Sequence, residues 1–244
     1  MKKRILIILI CILPIVSNGQ SLVEQSDAES QFQLGLCYLE GKNIEKDSVK
    51  AFDYFFKSAI LGHAKAQFRL GQCYKQGRGY GISKNDSLSI FWFEKSANQG
   101  FDSSQYTLGL CYEYGLYGLI KNDSISAYWY LKAALQNHGW AQASLAYLYL
   151  RGIGVDQNDS IAVIWYSKSA NSGNDAAQYS LGKAYASGEG VEQNYEKAIY
   201  WFTRAAEQGN HLAKIYLGTY YESGYGAPQN KENALYWYMY STFK

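Results

Sequence analysis

Residues 177–191 read Ala177-Gln178-Tyr179-Ser180-Leu181-Gly182-Lys183-Ala184-Tyr185-Ala186-Ser187-Gly188-Glu189-Gly190-Val191, and this stretch decides the fold. Ala177, Leu181 and Tyr185 are spaced by four, which sets them on one face of a helix. Gly188 then ends the helix, because glycine takes the left-handed cap conformation without a Cβ clash, and Gly190 continues the turn. The same phrase recurs with its Leu at Leu34, Leu70, Leu108, Leu145, Leu181 and Leu217, at spacings of 36, 38, 37, 36 and 36. A period of that length without strand-like alternation is the mark of a helical solenoid, an architecture that usually serves as a binding surface.

Each unit divides into a helix A and a helix B. Helix A carries a small residue (Ser30, Ala66, Ser104, Ala141, Ala177, Ala213), the Leu, and Tyr38, Tyr74, Tyr112, Tyr149, Tyr185 or Tyr221. After the Leu stands Gly35, Gly71, Gly109, Gly182 or Gly218, with Ala146 the exception. A mid-helix glycine costs ~1 kcal/mol against alanine, so its recurrence predicts a notch where another helix backbone passes close. Helix A ends at Gly41, Gly77, Gly115, Gly152, Gly188 and Gly224, and Asn43 takes the place of the second turn glycine in the first unit. Gly77, Gly79 and Gly81 follow no strand, so they read as turn residues and not as a phosphate cradle.

Helix B opens at Asp47, Asn85, Asn122, Asn158, Asn194 and Asn230, all good N-caps. It sets small residues at Ala51, Ser89, Ser126, Ala162, Ala198 and Ala234, and three residues later Tyr54, Trp92, Trp129, Trp165, Trp201 or Trp237. Ala59, Ala97, Ala134, Ala170 and Ala206 close the inner turn. Recurrence in every unit makes these positions core packing, with Trp165 buried at the centre of the array.

The A-x-x-x-L-G-x-x-Y-x-x-G-x-G-V pattern, whole at 177–191, and the A-x-x-W-F-x-R-A-A pattern at 198–206 resemble the Sel-one-like repeat family, a branch of the tetratricopeptide-type solenoids. The resemblance covers 28–244, five complete units and a partial sixth. It implies an all-α solenoid of stacked antiparallel helix pairs, a right-handed superhelix, in a family whose members generally act as adaptors or scaffolds for other proteins. Some secreted members carry two cysteines per unit and have been described as penicillin-binding or hydrolysing, so the alternative it implies is a cell-wall or β-lactam-directed hydrolase. Here Cys37, Cys73 and Cys111 each lack the second cysteine of their unit, and equivalent positions in neighbouring units, ~10 Å apart, lie beyond the reach of a disulfide. Buried free thiols are expected, and a row of three lacks the clustered spacing of a zinc site.

Residues 1–19 read differently. Lys2, Lys3 and Arg4 precede an apolar run at 5–16, and Ser17-Asn18-Gly19 follows, which is the layout of a signal peptide cleaved near Gly19. The run is shorter than the ~20 apolar residues of a spanning helix, so the expectation is an exported protein, periplasmic or secreted, with a linker at 20–27 and no integral membrane segment after cleavage. The whole chain has 23 Lys+Arg and 21 Asp+Glu, and removal of the leader leaves 20 against 21. That balance gives no basic footprint for nucleic acid.

No catalytic constellation, metal site or cofactor site is expected. His63, His138 and His211 fall in or beside the loops between units, where capping or surface roles suit them. Ser180 and Lys183 form S-x-x-K inside a helix, and Ser180 is replaced by Gln33, Arg69, Thr107, Ser144 and Tyr216 in the other units, which argues against an acyl-enzyme serine. Four triplets, Asp47-Ser48-Val49, Asp86-Ser87-Leu88, Asp123-Ser124-Ile125 and Asp159-Ser160-Ile161, begin helices B as caps and also resemble a bacterial O-glycan acceptor triplet.

Positions −2, +2 and +5 from the Leu project opposite the Leu and Tyr row. They vary between units while the packing positions do not. In tetratricopeptide-type stacks this face is concave, so Phe32, Leu36, Phe68, Gln72, Tyr106, Leu110, Tyr147, Tyr179 and Lys183 are the expected contacts of a protein or peptide partner. At −2 the aromatics have a second reading, packing against the next unit.

Overall fold

A computed structural model describes residues 27–242. The expected leader, 1–19, and the linker, 20–27, apart from Asp27, lie outside the described residues. The chain divides into two compact units, one ending at Lys121 and the other beginning at Asn122. The first holds α1 (Ala28–Glu40), α2 (Ser48–Ile60), α3 (Ala64–Gln76), a 3-10 turn (Arg78–Tyr80), α4 (Asp86–Asn98) and α5 (Asp102–Tyr114). The second holds α6 (Asp123–Leu135), α7 (Gly139–Arg151), α8 (Asp159–Asn171), α9 (Asp175–Ser187), α10 (Tyr195–Glu207), α11 (His211–Ser223) and α12 (Lys231–Thr242). Among the described residues there are twelve helices and no strand, odd-numbered helices being helix A and even-numbered ones helix B.

Helix starts follow the expected chemistry. The side chains of Asp47, Asn85, Asn122, Asn158, Asn194 and Asn230 each accept from the backbone N–H three residues on, filling one donor that the first turn leaves open. Ser87, Ser124 and Ser160 of the Asp-Ser-aliphatic triplets are exposed beside these caps. Turns within the units close by a backbone bond from the cap to the repeat tyrosine: Asn85 N–H to the Tyr74 carbonyl at 2.9 Å in the first unit, and Asn194 N–H to Tyr185 at 2.8 Å in the second. At the opposite end, Ser96 donates to the Ala64 carbonyl and Ser169 to that of Gly139. The end of helix B thus meets the start of its own helix A, and the pair is antiparallel.

The core alternates small and large. Ala51, Ala66, Ala141, Ala162, Ala177, Ala198 and Ala213 are buried, as are Leu70, Leu108, Leu145, Leu181 and Leu217. Trp165 is buried, but Trp92, Trp129 and Trp201 are only half-buried. The aromatic that fills the seam is the next residue: Phe55, Phe93, Tyr130, Tyr166 and Phe202 are all buried. This adds a ring to the notch read from the recurrent helix A glycine. A Cβ on Gly182 would stand 2.6 Å from the Phe202 ring, and one on Gly71 would meet the Phe93 ring at 2.6 Å and the Ser89 backbone carbonyl oxygen at 3.1 Å, so the notch holds a ring edge beside the passing helix B backbone.

The second turn glycine has its own cause. Gly190 has φ of 71°, and a Cβ there would run into the backbone of Asp159 at the start of α8. The turn of one repeat therefore rests on the N-terminus of the preceding helix B, and a side chain would push the two apart.

A row not anticipated from sequence joins successive pairs. Three residues before the Leu stand Gln31, Gln67, Gln105, Gln142 and Gln178, all buried. In the first unit Gln67 donates to the Ala59 carbonyl and Gln105 to that of Ala97, while in the second Gln142 donates to Ala134 and Gln178 to Ala170, each at 3.1 Å. These carbonyls lie in the last turn of the preceding helix B, where each also accepts the backbone N–H three residues on, as Ala134 does from Asn137 at 3.0 Å. Gln67 and Gln178 also accept from Gln99 and Gln208, which ties three segments through one amide. Gln31 has an unpartnered buried Oε1, and the position corresponding to Gln99 in its pair is Leu61, which offers no donor. Lys214 takes the place of the glutamine in the last pair and donates to the Tyr240 carbonyl at 3.1 Å.

Candidate partner-binding face

The outer face of helix A differs between the two units. In the first, Phe32 is 6% exposed and its ring packs at 5.9 Å from Phe55 and 4.7 Å from His63. Phe32 is therefore a core residue, a correction to the expected contact set. Phe68 is half-buried between Phe93, at 5.6 Å, and Phe101, at 5.4 Å. Leu36, Gln72, Tyr106 and Leu110 are half-buried as well, and Gln72 accepts from Arg69 at 3.1 Å. This surface is largely apolar, with Lys75 exposed at its edge.

In the second unit the face stands out into solvent. Tyr147 on α7 is 44% exposed with the Arg151 guanidinium 5.9 Å from its ring, and Lys183 on α9 is exposed. The Tyr166 hydroxyl reaches this face from α8 and meets Ser180, while burial holds it above the usual tyrosine range. On α11, Thr219 and Glu222 are exposed and the Tyr238 hydroxyl donates to Glu222 at 2.9 Å. A core ring that is tyrosine thus delivers a hydroxyl to the helix A face, which phenylalanine at Phe202 does not. Tyr179 belongs with the packing aromatics: its ring lies 6.0 Å from Phe202 and 5.8 Å from Tyr216, and burial foremost pushes its hydroxyl up to about 12. The −2 aromatics Phe32, Phe68 and Tyr179 share this inward role.

The remaining reactive side chains are committed to structure. His63 and His138 cap α3 and α7, their Nδ1 atoms accepting from Ala66 and Ala141. His63 also meets Glu29 at 2.8 Å. Burial pushes the thiols of Cys73 and Cys111 up to about 12, which leaves almost no thiolate near neutral pH. Ser180 donates back to the Ala176 carbonyl at 2.9 Å within its helix. Among the described residues no group of His, Cys, Asp and Glu is placed to hold a metal ion, and no helix is long and apolar enough to cross a membrane.

The Sel1 repeat family matches six times, at residues 28–63, 64–101, 102–138, 141–174, 175–210 and 211–238. The chain belongs to the Sel1 repeat family. Among solved structures it is similar to c5321, described as a protective antigen present in uropathogenic Escherichia coli strains displaying an SLR fold, at 36% identity with a TM-score of 0.83. That match covers 88% of this chain and 45% of the other, so the chain spans about half the length of c5321. A Sel1 repeat protein from Oxalobacter formigenes is 31% identical over 92% of this chain and 89% of its own, with a TM-score of 0.76. No match was found among curated proteins. The six matched repeats of this chain share the packing frame, and the exposed positions of α7, α9 and α11 differ among them.

Proposed function

We propose that this Sel1 repeat chain is an exported, non-catalytic scaffold that holds a protein or peptide partner on the outer face of helix A. One observation carries the reading. The positions that pack repeat from pair to pair, whereas +2 runs Leu36, Gln72, Leu110, Tyr147, Lys183, Thr219 without any rule that packing supplies. A surface that varies over a constant frame is what partner selection needs, and aromatic residues with arginine are the side chains most often decisive in interfaces. Tyr147, Arg151 and Lys183 are the principal contacts in the second unit, with Leu36, Gln72, Tyr106 and Leu110 offering a lower apolar bed in the first. Export rests on the basic and apolar leader at 1–19.

The test is affinity capture from the native host, with wild type compared against Tyr147→Ala and Lys183→Glu. A protein retained by wild type and lost from both variants supports the proposal. Retention by all three, with all three folded, removes the helix A face from consideration. The mature mass in the host reports cleavage near Gly19, and a chain that keeps its leader contradicts export by that route.

A further inference from the structure

Most large apolar side chains exposed in the second unit lie on helix B and not on the proposed helix A face. The residue before the Trp is Tyr128 on α6, Ile164 on α8 and Tyr200 on α10, exposed by 50, 54 and 52%. Leu135, near the end of α6, is 65% exposed. None of these belongs to the set that packs the helix pairs, so an isolated chain gains nothing by keeping them apolar in water.

Four residues beyond each comes a cation: Lys132, Lys168 and Arg204. Lys132 lies 4.9 Å from the Tyr128 ring, Lys168 lies 4.3 Å from the Trp165 ring, and Arg204 lies 5.8 Å from the Tyr200 ring. Tyr128 and Tyr200 are in turn braced edge-on against Trp129 and Trp201, at 5.1 and 5.0 Å. Each cation therefore rests on a ring of its own helix. None of the three is in an ion pair among the described residues. On α6 and α8 the acids are confined to the first turn, at Asp123 and Asp159, a helix length away from Lys132 and Lys168. On α10, Glu207 follows Arg204 within a turn and moderates the charge there.

We infer that the outer face of α6 and α8 is a second docking surface, separate from the helix A face, for an acidic amphipathic segment of a partner protein. Its apolar side chains lie on Tyr128, Leu135 and Ile164, and its carboxylates meet Lys132 and Lys168. Charge complementarity selects the occupant: cations without an ionic partner among the described residues, set beside apolar side chains, match a segment that alternates carboxylates with apolar residues. A nucleic-acid strand fits less well, because a base that stacks on Tyr128 must first displace Lys132 from that ring.

The probe is a synthetic amphipathic peptide with leucines on one face and glutamates on the other, titrated onto the full chain by fluorescence anisotropy. Its counterpart with lysines in place of the glutamates is titrated in parallel. The glutamate peptide is expected to bind, to weaken as salt rises, and to lose on the order of tenfold in affinity in Lys132→Glu/Lys168→Glu and in Tyr128→Ala. Lys132→Ala/Lys168→Ala repeats the charge test without adding acids to the helix ends, and circular dichroism checks that each variant is folded. Equal binding of both peptides, or full binding by the folded double variants, overturns the inference. So does a single-stranded oligonucleotide that binds more tightly than the glutamate peptide. A probe lost with Lys183→Glu but kept by the Lys132/Lys168 variants sits on helix A, which overturns this surface and leaves the proposed function standing.

Discussion

The helix A faces of the two units rest on the same frame and end in different surfaces. In the first, Leu36, Gln72 and Leu110 lie half-buried beside the packed rings of Phe32 and Phe68. In the second, Tyr147, Arg151, Lys183 and Thr219 rise clear of the core, and the hydroxyls of Tyr166 and Tyr238 come up between them. Repetition explains what the two have in common, and the proposed recognition rests on where they depart from it.

That comparison breaks first at its frame. Phe202 fills the glycine notch of α9 and is completely buried, so Phe202→Ala is expected to cost ~3–5 kcal/mol in chemical denaturation. Trp165→Ala, also buried, is expected in the same range, whereas the half-buried Trp201 should cost less when truncated. A larger loss at Trp201 than at Phe202 would mean that the wrong ring has been assigned to the seam.

Gly182→Ala sharpens the same point from the other side of the contact. Helix propensity alone favours the change by ~1 kcal/mol, but the added methyl meets the Phe202 ring, and overpacking of that kind typically costs ~1–3 kcal/mol. Net destabilisation is expected. A variant that melts higher than wild type shows that the seam has room to spare.

Gln142→Ala probes the joint between pairs within the second unit. It removes one of two donors to the Ala134 carbonyl, which keeps the Asn137 N–H at 3.0 Å, so the expected cost is that of one lost hydrogen bond, about 0.5–1.5 kcal/mol. The corresponding change at Gln31, whose Oε1 already lacks a partner, should cost less. Equal losses, measured by melting, would show that the glutamine row acts through its bulk and not through its hydrogen bonds.

The frame was legible in the sequence because its requirements are local and recur. Asn158 and Asn194 announce helix starts by the cap they provide, and Gly152 and Gly188 announce ends by the conformation they tolerate. The glutamine row recurs just as faithfully, yet a polar residue three before the Leu reads as solvated surface, and its partner is a carbonyl distant in sequence. Phe202 was hidden for a different reason: it stands next to Trp201, and a helical wheel does not say which of two adjacent aromatics turns inward. The helix A face was legible as a set of variable positions but not in depth. Whether a −2 aromatic is core or surface depends on what covers it, as His63 covers Phe32. The helix B cations were visible as residues only. Their lack of ionic partners among the described residues is a fact of the folded arrangement.

The smallest effect on stability carries the most weight. Tyr147 and Lys183 are exposed, so Tyr147→Ala and Lys183→Glu should each change folding stability by no more than ~0.5 kcal/mol. Binding of the captured partner, measured by titration calorimetry beside thermal melting of the same preparations, tests the central claim that the variable helix A positions serve recognition and not packing. Unchanged melting with a loss of ~1–3 kcal/mol in binding for either variant is the expected result. Unfolding of both variants, or wild-type affinity in both while they remain folded, would contradict it.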